Sequence, residues 1–113
     1  MKSKIIALSN NEDFKNLLKK KKLNNKYVTI FFGNLENKNK RMLNISFVTK
    51  KKIGNAVKRN KIKRRLRNIV NDAVKQISIK FNYSYLVIAK PTMLNNDFKL
   101  IKDTLFQEFK KIR

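Results

Sequence analysis

The sequence predicts an α+β fold, a two-layer α/β sandwich in which helices pack on one small mixed sheet. Three observations predict it. Three short runs, Tyr27 to Phe32, Leu43 to Phe47 and Tyr83 to Ala89, are rich in β-branched and aromatic residues, the composition of strands. Between the second and third lies a stretch from Gly54-Asn55 to about Ile77 whose apolar residues recur at helical spacing. A second helical stretch, Asp97 to Ile112, follows the last strand. Only Gly33, Gly54 and Pro91 punctuate strongly, so residues 1–113 read as a single domain without a linker.

Each element has its own warrant. Ser9-Asn10-Asn11-Glu12 has the spacing of a capping box, and Phe14, Leu17 and Leu18 follow at i, i+3 and i+4. This reads as a short amphipathic helix over about Asn10 to Lys20, closed by Lys19 to Lys22 at the negative end of its dipole. The strand from Tyr27 ends at Gly33-Asn34, and Asn34 to Lys40 forms a polar turn. Leu43, Ile45 and Phe47 then alternate with Asn44, Ser46 and Val48, a strand with one buried face. In the long helix, with Asn55 as its N-cap, Ile62, Leu66, Ile69, Ala73 and Ile77 are spaced by 4, 3, 4 and 4 and form one stripe. Tyr83 to Ala89 is nearly all apolar, as a central strand is, and Pro91 ends it. Leu100, Ile101, Leu105, Phe106 and Phe109 make the buried face of the last helix. The order is α-β-β-α-β-α.

Charge narrows the function. There are 29 Lys+Arg against 7 Asp+Glu, a formal net charge of +22 that repels itself in a compact fold unless a polyanion neutralises it. Nucleic acid leads, with anionic membranes and acidic proteins behind. An apolar content of 42% supplies a core, so this is no disordered basic tail. Without Cys there is no disulfide or thiolate metal site, and without His the commonest general base and nitrogen ligand are missing. No apolar run approaches the roughly 20 residues of a membrane span. Ile5 to Leu8 is too short for a signal-peptide core, so a cytoplasmic protein is expected.

The charge is also localised. From Asn37 to Asn71 there is no acidic residue but thirteen basic ones, ten of them between Lys50 and Arg67. A helix stabilised by i,i+4 pairs would intersperse Glu with Lys. At 100° per residue, Asn60, Arg64, Arg67 and Asn71 line up opposite the apolar stripe, flanked by Lys63 on one side and by Lys61 and Arg65 on the other. Arg offers phosphate oxygens a planar fork, and Asn bonds phosphate, sugar or base. Lys50 to Lys52 and the helix start near Asn55 add a second anion-attracting feature. The bland alternative is a solvated helix in a lysine-rich composition. Composition alone does not exclude acids from this stretch while placing four Arg between Arg59 and Arg67.

The run Arg59-Asn60-Lys61-Ile62-Lys63-Arg64-Arg65-Leu66-Arg67 resembles the hallmark of the bacterial ribonuclease P protein family, Arg-Asn-Arg-x-x-Lys-Arg followed by a further Arg. Lys61 stands where Arg is usual, keeping charge but losing the bidentate fork. Asn11-Glu12-Asp13-Phe14, Lys51 to Ala56 and Tyr85 to Pro91 extend the resemblance over nearly the whole chain. Leu18 stands where a second Phe is common and Ile30 where the family often has Tyr. The link from Lys19 to Lys26 is short and lacks a Gly-x-Ser, which suggests an eroded extra strand.

The resemblance implies an α/β sandwich shared with a ribosomal-protein domain, with a left-handed β-α-β crossover against the usual right-handed preference. It implies the small subunit of a ribonucleoprotein endonuclease that removes the 5′ leader of precursor tRNA, with the RNA subunit as catalyst. Its partners would be the catalytic RNA and precursor tRNA, with no membrane and no obligate protein partner. Asn55, Arg59, Asn60, Lys61, Lys63, Arg64, Arg65 and Arg67 would contact the catalytic RNA. The leader would enter a cleft between the first helix and the sheet. Phe14 and Tyr27 would stack on its bases, Leu18 and Ile30 form an apolar wall, and Lys51, Lys52 and Lys90 meet phosphates. Phe14, Tyr27, Leu18 and Ile30 have the core as their alternative place, and Phe31 and the remaining phenylalanines are assigned to packing or loops.

No residue is expected to be catalytic. None of the seven acids, Glu12, Asp13, Glu36, Asp72, Asp97, Asp103 and Glu108, makes a metal-ligand cluster in sequence. No cofactor or metal is expected on the protein, and the Mg2+ of the holoenzyme is expected on RNA phosphates. The alternative is a non-enzymatic RNA-binding protein such as a ribosomal protein, which shares the charge and fold but not the long motif. A stand-alone nuclease lacks its catalytic groups. A membrane-surface protein would carry aromatics on its apolar stripe.

Overall fold

A computed structural model describes residues 5–8, 11–35, 42–77, 79, 81–94 and 97–112. The most apolar strand is the central one. β5 (Ser84–Ala89) pairs in parallel with β4 (Leu43–Val48) and antiparallel with β3 (Val28–Gly33). Two short strands form the edges, β1 (Ile5–Ile6) parallel to β4 and β2 (Lys21–Asn24) antiparallel to β3. The order is β1-β4-β5-β3-β2. Alternation sorts the side chains into two faces. Ile30 pairs with Val87, which pairs with Phe47, and Phe32 pairs with Tyr85, which pairs with Ile45, so all of these share one face. Phe31, Leu86 and Ser46 pair in the same way on the other.

The first face carries the main core. α2 (Ala56–Gln76) buries Ile62, Leu66, Ile69, Val70 and Ala73, and α3 (Phe98–Lys111) buries Ile101, Leu105 and Phe109. These helices and the sheet form the predicted sandwich, and α2 is the crossover between the parallel strands β4 and β5. An ion pair between Asp72 and Lys102 at 2.8 Å joins the two helices. The seven-residue α1 (Asn11–Leu17) lies on the opposite face, where Leu17, Leu35 and Leu86 form a smaller core.

Several expectations shift. The strand suggested as eroded is present as β2, because Leu23 pairs with Ile30 and extends the apolar row at the edge. Its Lys21 and Lys22 suit an edge that must not template further pairing. α1 therefore ends earlier than expected, and those lysines belong to the strand rather than to the helix end. The tight return to the sheet packs Lys20 against Gly33, where an added Cβ would lie 2.8 Å from the Lys20 Cγ. Leu100 is 51% exposed, not buried, because the α3 face toward the core runs through Ile101, Leu105, Glu108, Phe109 and then Ile112. The two-residue β1 is too short for periodicity to reveal. Ser9 and Asn10 of the capping box, and most of the Asn34 to Lys40 turn, lie outside the described residues.

The start of α2 depends on one glycine. A 3-10 turn, Lys51–Ile53, ends at Gly54 with φ 150° and ψ −164°, a region essentially closed to side-chain-bearing residues. Asn55 follows as the predicted N-cap, its Oδ1 accepting from the Lys58 N–H at 3.0 Å. Gly54→Ala should therefore lower stability by about 1–3 kcal/mol in urea unfolding. A change near zero would show that the turn relaxes freely.

Candidate nucleic-acid interface

α2 has its back in the core and its front in solvent. Asn60, Lys61, Arg64 and Arg67 are exposed, as is the cap Asn55, and Asn71 is half-buried at the far end of the line. The helix has no acid before Asp72, and Asp72 is held by Lys102. The flanking members differ. Arg59, Lys63 and Arg65 are half-buried. The Arg65 Nη1 donates to the Met93 carbonyl at 3.3 Å, fastening α2 to the 3-10 turn Pro91–Leu94. The Arg59 Nε is enclosed by protein. Asn60, Lys61, Arg64 and Arg67 are thus the residues most open to a polyanion.

The leader residues do not all come together. Phe14 is half-buried on the α1 face of the sheet and packs against Leu17, Leu35 and Leu86 together with Phe31, Val48 and Ile88. Leu18 follows the last helical residue and is 49% exposed, outside this cluster. Two expectations are corrected. Ile30 is 0% exposed and belongs to the main core, because its pairing with Val87 turns it toward α2 and α3. Tyr27 is 2% exposed in the same core, and its carbonyl accepts from the Lys90 N–H at 2.8 Å. Neither ring nor side chain can line a cleft beside α1.

The aromatic that the sequence reading missed is Phe31. It pairs with Leu86 and is half-buried on the α1 face. Thr29 was the available signal. As the one polar residue from Val28 to Phe32, it marks the odd positions as the less buried face, and Phe31 shares its parity.

The lysines gather at one end of the sheet. Lys51 and Lys52 are exposed just beyond β4, and Lys90 follows the adjacent parallel β5. Lys90 is not free like the other two. Its ammonium donates to the Asn24 Oδ1 and the Asn25 carbonyl, clamping the β2–β3 hairpin to the end of β5. Thr29 Oγ1 donates to the same Asn24 Oδ1 at 2.9 Å.

Residues 3–113 match the family model for ribonuclease P. The chain belongs to the ribonuclease P protein family. It is 34% identical over 98 residues to the ribonuclease P protein component of Mesoplasma florum, covering 87% of this chain and 86% of that one. It is 28% identical over 109 residues to the component of Carboxydothermus hydrogenoformans, covering 94% and 90%. The fold matches the solved RNase P protein of Thermotoga maritima with a TM-score of 0.80 at 25% identity, over 96% of this chain and 98% of that one. This chain is accordingly a protein subunit of the endoribonuclease ribonuclease P, a ribonucleoprotein of tRNA processing, and associates with ribonuclease P RNA. No helix among the described residues is long and apolar enough to cross a membrane.

Proposed function

We propose that the chain docks on the catalytic RNA through the exposed face of α2 and holds the single-stranded 5′ leader of precursor tRNA beside α1. The observation that carries this reading is the placement of two RNA-suited surfaces on opposite sides of one sheet. The basic front of α2 is backed by the main core. The half-buried Phe14 and Phe31 lie on the α1 face, and Lys51 and Lys52 are exposed beyond the end of β4. A small protein so built bridges two polyanionic strands, which accounts for a net charge of +22. Bases stack on aromatic faces while lysines follow the backbone.

Among the described residues no three acidic side chains gather, and Asp72 and Glu108 each lie against a lysine. We therefore assign the cleavage chemistry and its Mg2+ to the RNA, whose phosphates supply oxygen ligands.

The test compares holoenzyme binding to precursor tRNA and to mature tRNA. Phe31→Ala and Phe14→Ala should each weaken precursor binding by about tenfold, the value of one base stack, and leave mature tRNA binding unchanged. Equal losses for both substrates would remove the leader from this face. A protein that gave the catalytic RNA no gain in leader removal at low Mg2+ would instead be a plain RNA-binding module.

A further inference from the structure

Among the described residues Val57 is the most exposed large apolar side chain, at 76%, and it lies in the first turn of α2. Its neighbours along the helix face are Asn60, Lys61 and Arg64, at i+3, i+4 and i+7. These are the open residues of the basic ridge. Nothing in the fold calls for a valine there. Ile53, one turn earlier, is buried, whereas Val57 packs into neither core cluster. A β-branched residue also restricts its own rotamer in a helix, so a solvated site favours Lys, Gln or Ala.

We propose that Val57 is an apolar contact to the catalytic RNA, seated on the sugar and base-edge surface of an RNA minor groove while the ridge lysines and arginines hold the flanking phosphates. This rests on the docking role proposed above for α2. The A-form minor groove is wide and shallow and presents riboses and base edges, a surface that a short β-branched side chain can meet closely. Charge chooses the occupant. An apolar protein partner, or a second copy meeting this same acid-free face, would have to bury Lys61 and Arg64 without acids to pair them, whereas RNA brings its own phosphates. Phosphate contacts position a protein without reading the RNA surface. Val57 supplies a shape-dependent contact that Lys and Arg alone do not.

The charge-adding substitution Val57→Lys separates the two possibilities by sign. If the ridge were only electrostatic, another lysine within it would tighten binding. If Val57 seats on RNA, Val57→Lys should weaken binding to the ribonuclease P RNA by about tenfold or more at a fixed salt concentration of about 200 mM, and Val57→Ala by a smaller factor. Leu100→Lys, which adds the same charge at an exposed apolar site on α3, should leave affinity unchanged or slightly raised. Helix circular dichroism and thermal unfolding should be unaltered in all three, since both sites are exposed.

Unchanged or tighter binding by Val57→Lys would overturn the inference. So would a Val57→Lys protein that lost self-association in sedimentation while keeping its RNA affinity, since the occupant would then be a second copy. The double variant Arg64→Ala, Arg67→Ala reports on the underlying reading separately. If it binds RNA like the parent, the docking role of α2 fails. If it loses affinity while Val57→Lys does not, only the contact proposed for Val57 fails.

Discussion

The affinity of this protein for ribonuclease P RNA should fall by about 10³–10⁵ between 50 and 200 mM monovalent salt. Such a fall needs roughly 6–10 phosphate contacts, drawn from the ten basic residues between Lys50 and Arg67, with Lys61, Arg64 and Arg67 exposed on the front of α2 and no acid in that helix before Asp72. Each lysine or arginine that meets a phosphate releases condensed counterions, so the logarithm of affinity falls linearly with the logarithm of salt concentration. Replacing both Arg64 and Arg67 with Ala should lower the magnitude of that slope by roughly 2, about one for each phosphate contact. It should leave thermal stability within about 0.5 kcal/mol, because neither side chain is buried. Arg65 should behave differently. Its Nη1 bond to the Met93 carbonyl makes it partly a fastener of α2, so Arg65→Ala should lower stability as well as affinity. A shallow slope for the parent would exclude a multi-phosphate interface. Loss of helix signal in the double variant would make those arginines structural.

The second large effect contrasts two neighbours in β3. Ile30→Ala should destabilise the protein by about 2–5 kcal/mol, the cost of truncating a fully buried aliphatic side chain. That is a large share of the 5–15 kcal/mol typical of a domain, so much of the protein would unfold on mild heating. Phe31→Ala, from a half-buried position on the other face, should cost less stability and act chiefly on leader discrimination. Ile30→Tyr is the sharper version. If Ile30 lined the leader site, a tyrosine there would add a stacking ring and strengthen precursor binding. In the main core it overpacks and costs about 1–3 kcal/mol. Urea unfolding and precursor binding of the same variants decide between these, and tighter precursor binding by a stable Ile30→Tyr protein would reverse the assignment of faces.

The ridge was legible in the sequence and the cleft only in part. α2 appears with the predicted cap Asn55 and a predicted stripe of which Ile62, Leu66, Ile69 and Ala73 are buried. Its exposed face then follows from the angular period alone. The cleft fared worse because β3 is apolar at almost every position. From Val28 to Phe32 only Thr29 interrupts the run, so composition does not announce which parity faces which helix. The resemblance put Ile30 beside α1, whereas its pairing with Val87 turns it into the main core. Lys90 looked like a free cation, and its clamp on Asn24 and Asn25, more than sixty positions earlier in the chain, has no local sequence signal.

By itself, the sequence determined the element types, the central place of the strand ending at Ala89, the ridge of α2 and the family. These depend on local periodicity, on one cap and on a contiguous motif, all of which are written within a turn or two of chain. Only the tertiary structure decided which aromatic lies beside α1, that a lysine-rich link becomes the edge strand β2, and that Tyr27 and Ile30 belong to the main core. The physical reason is that a strand's two faces are equivalent until something covers them. Which face becomes the core and which the groove is set by where α1, α2 and α3 land, and each reaches the sheet through contacts distant in sequence.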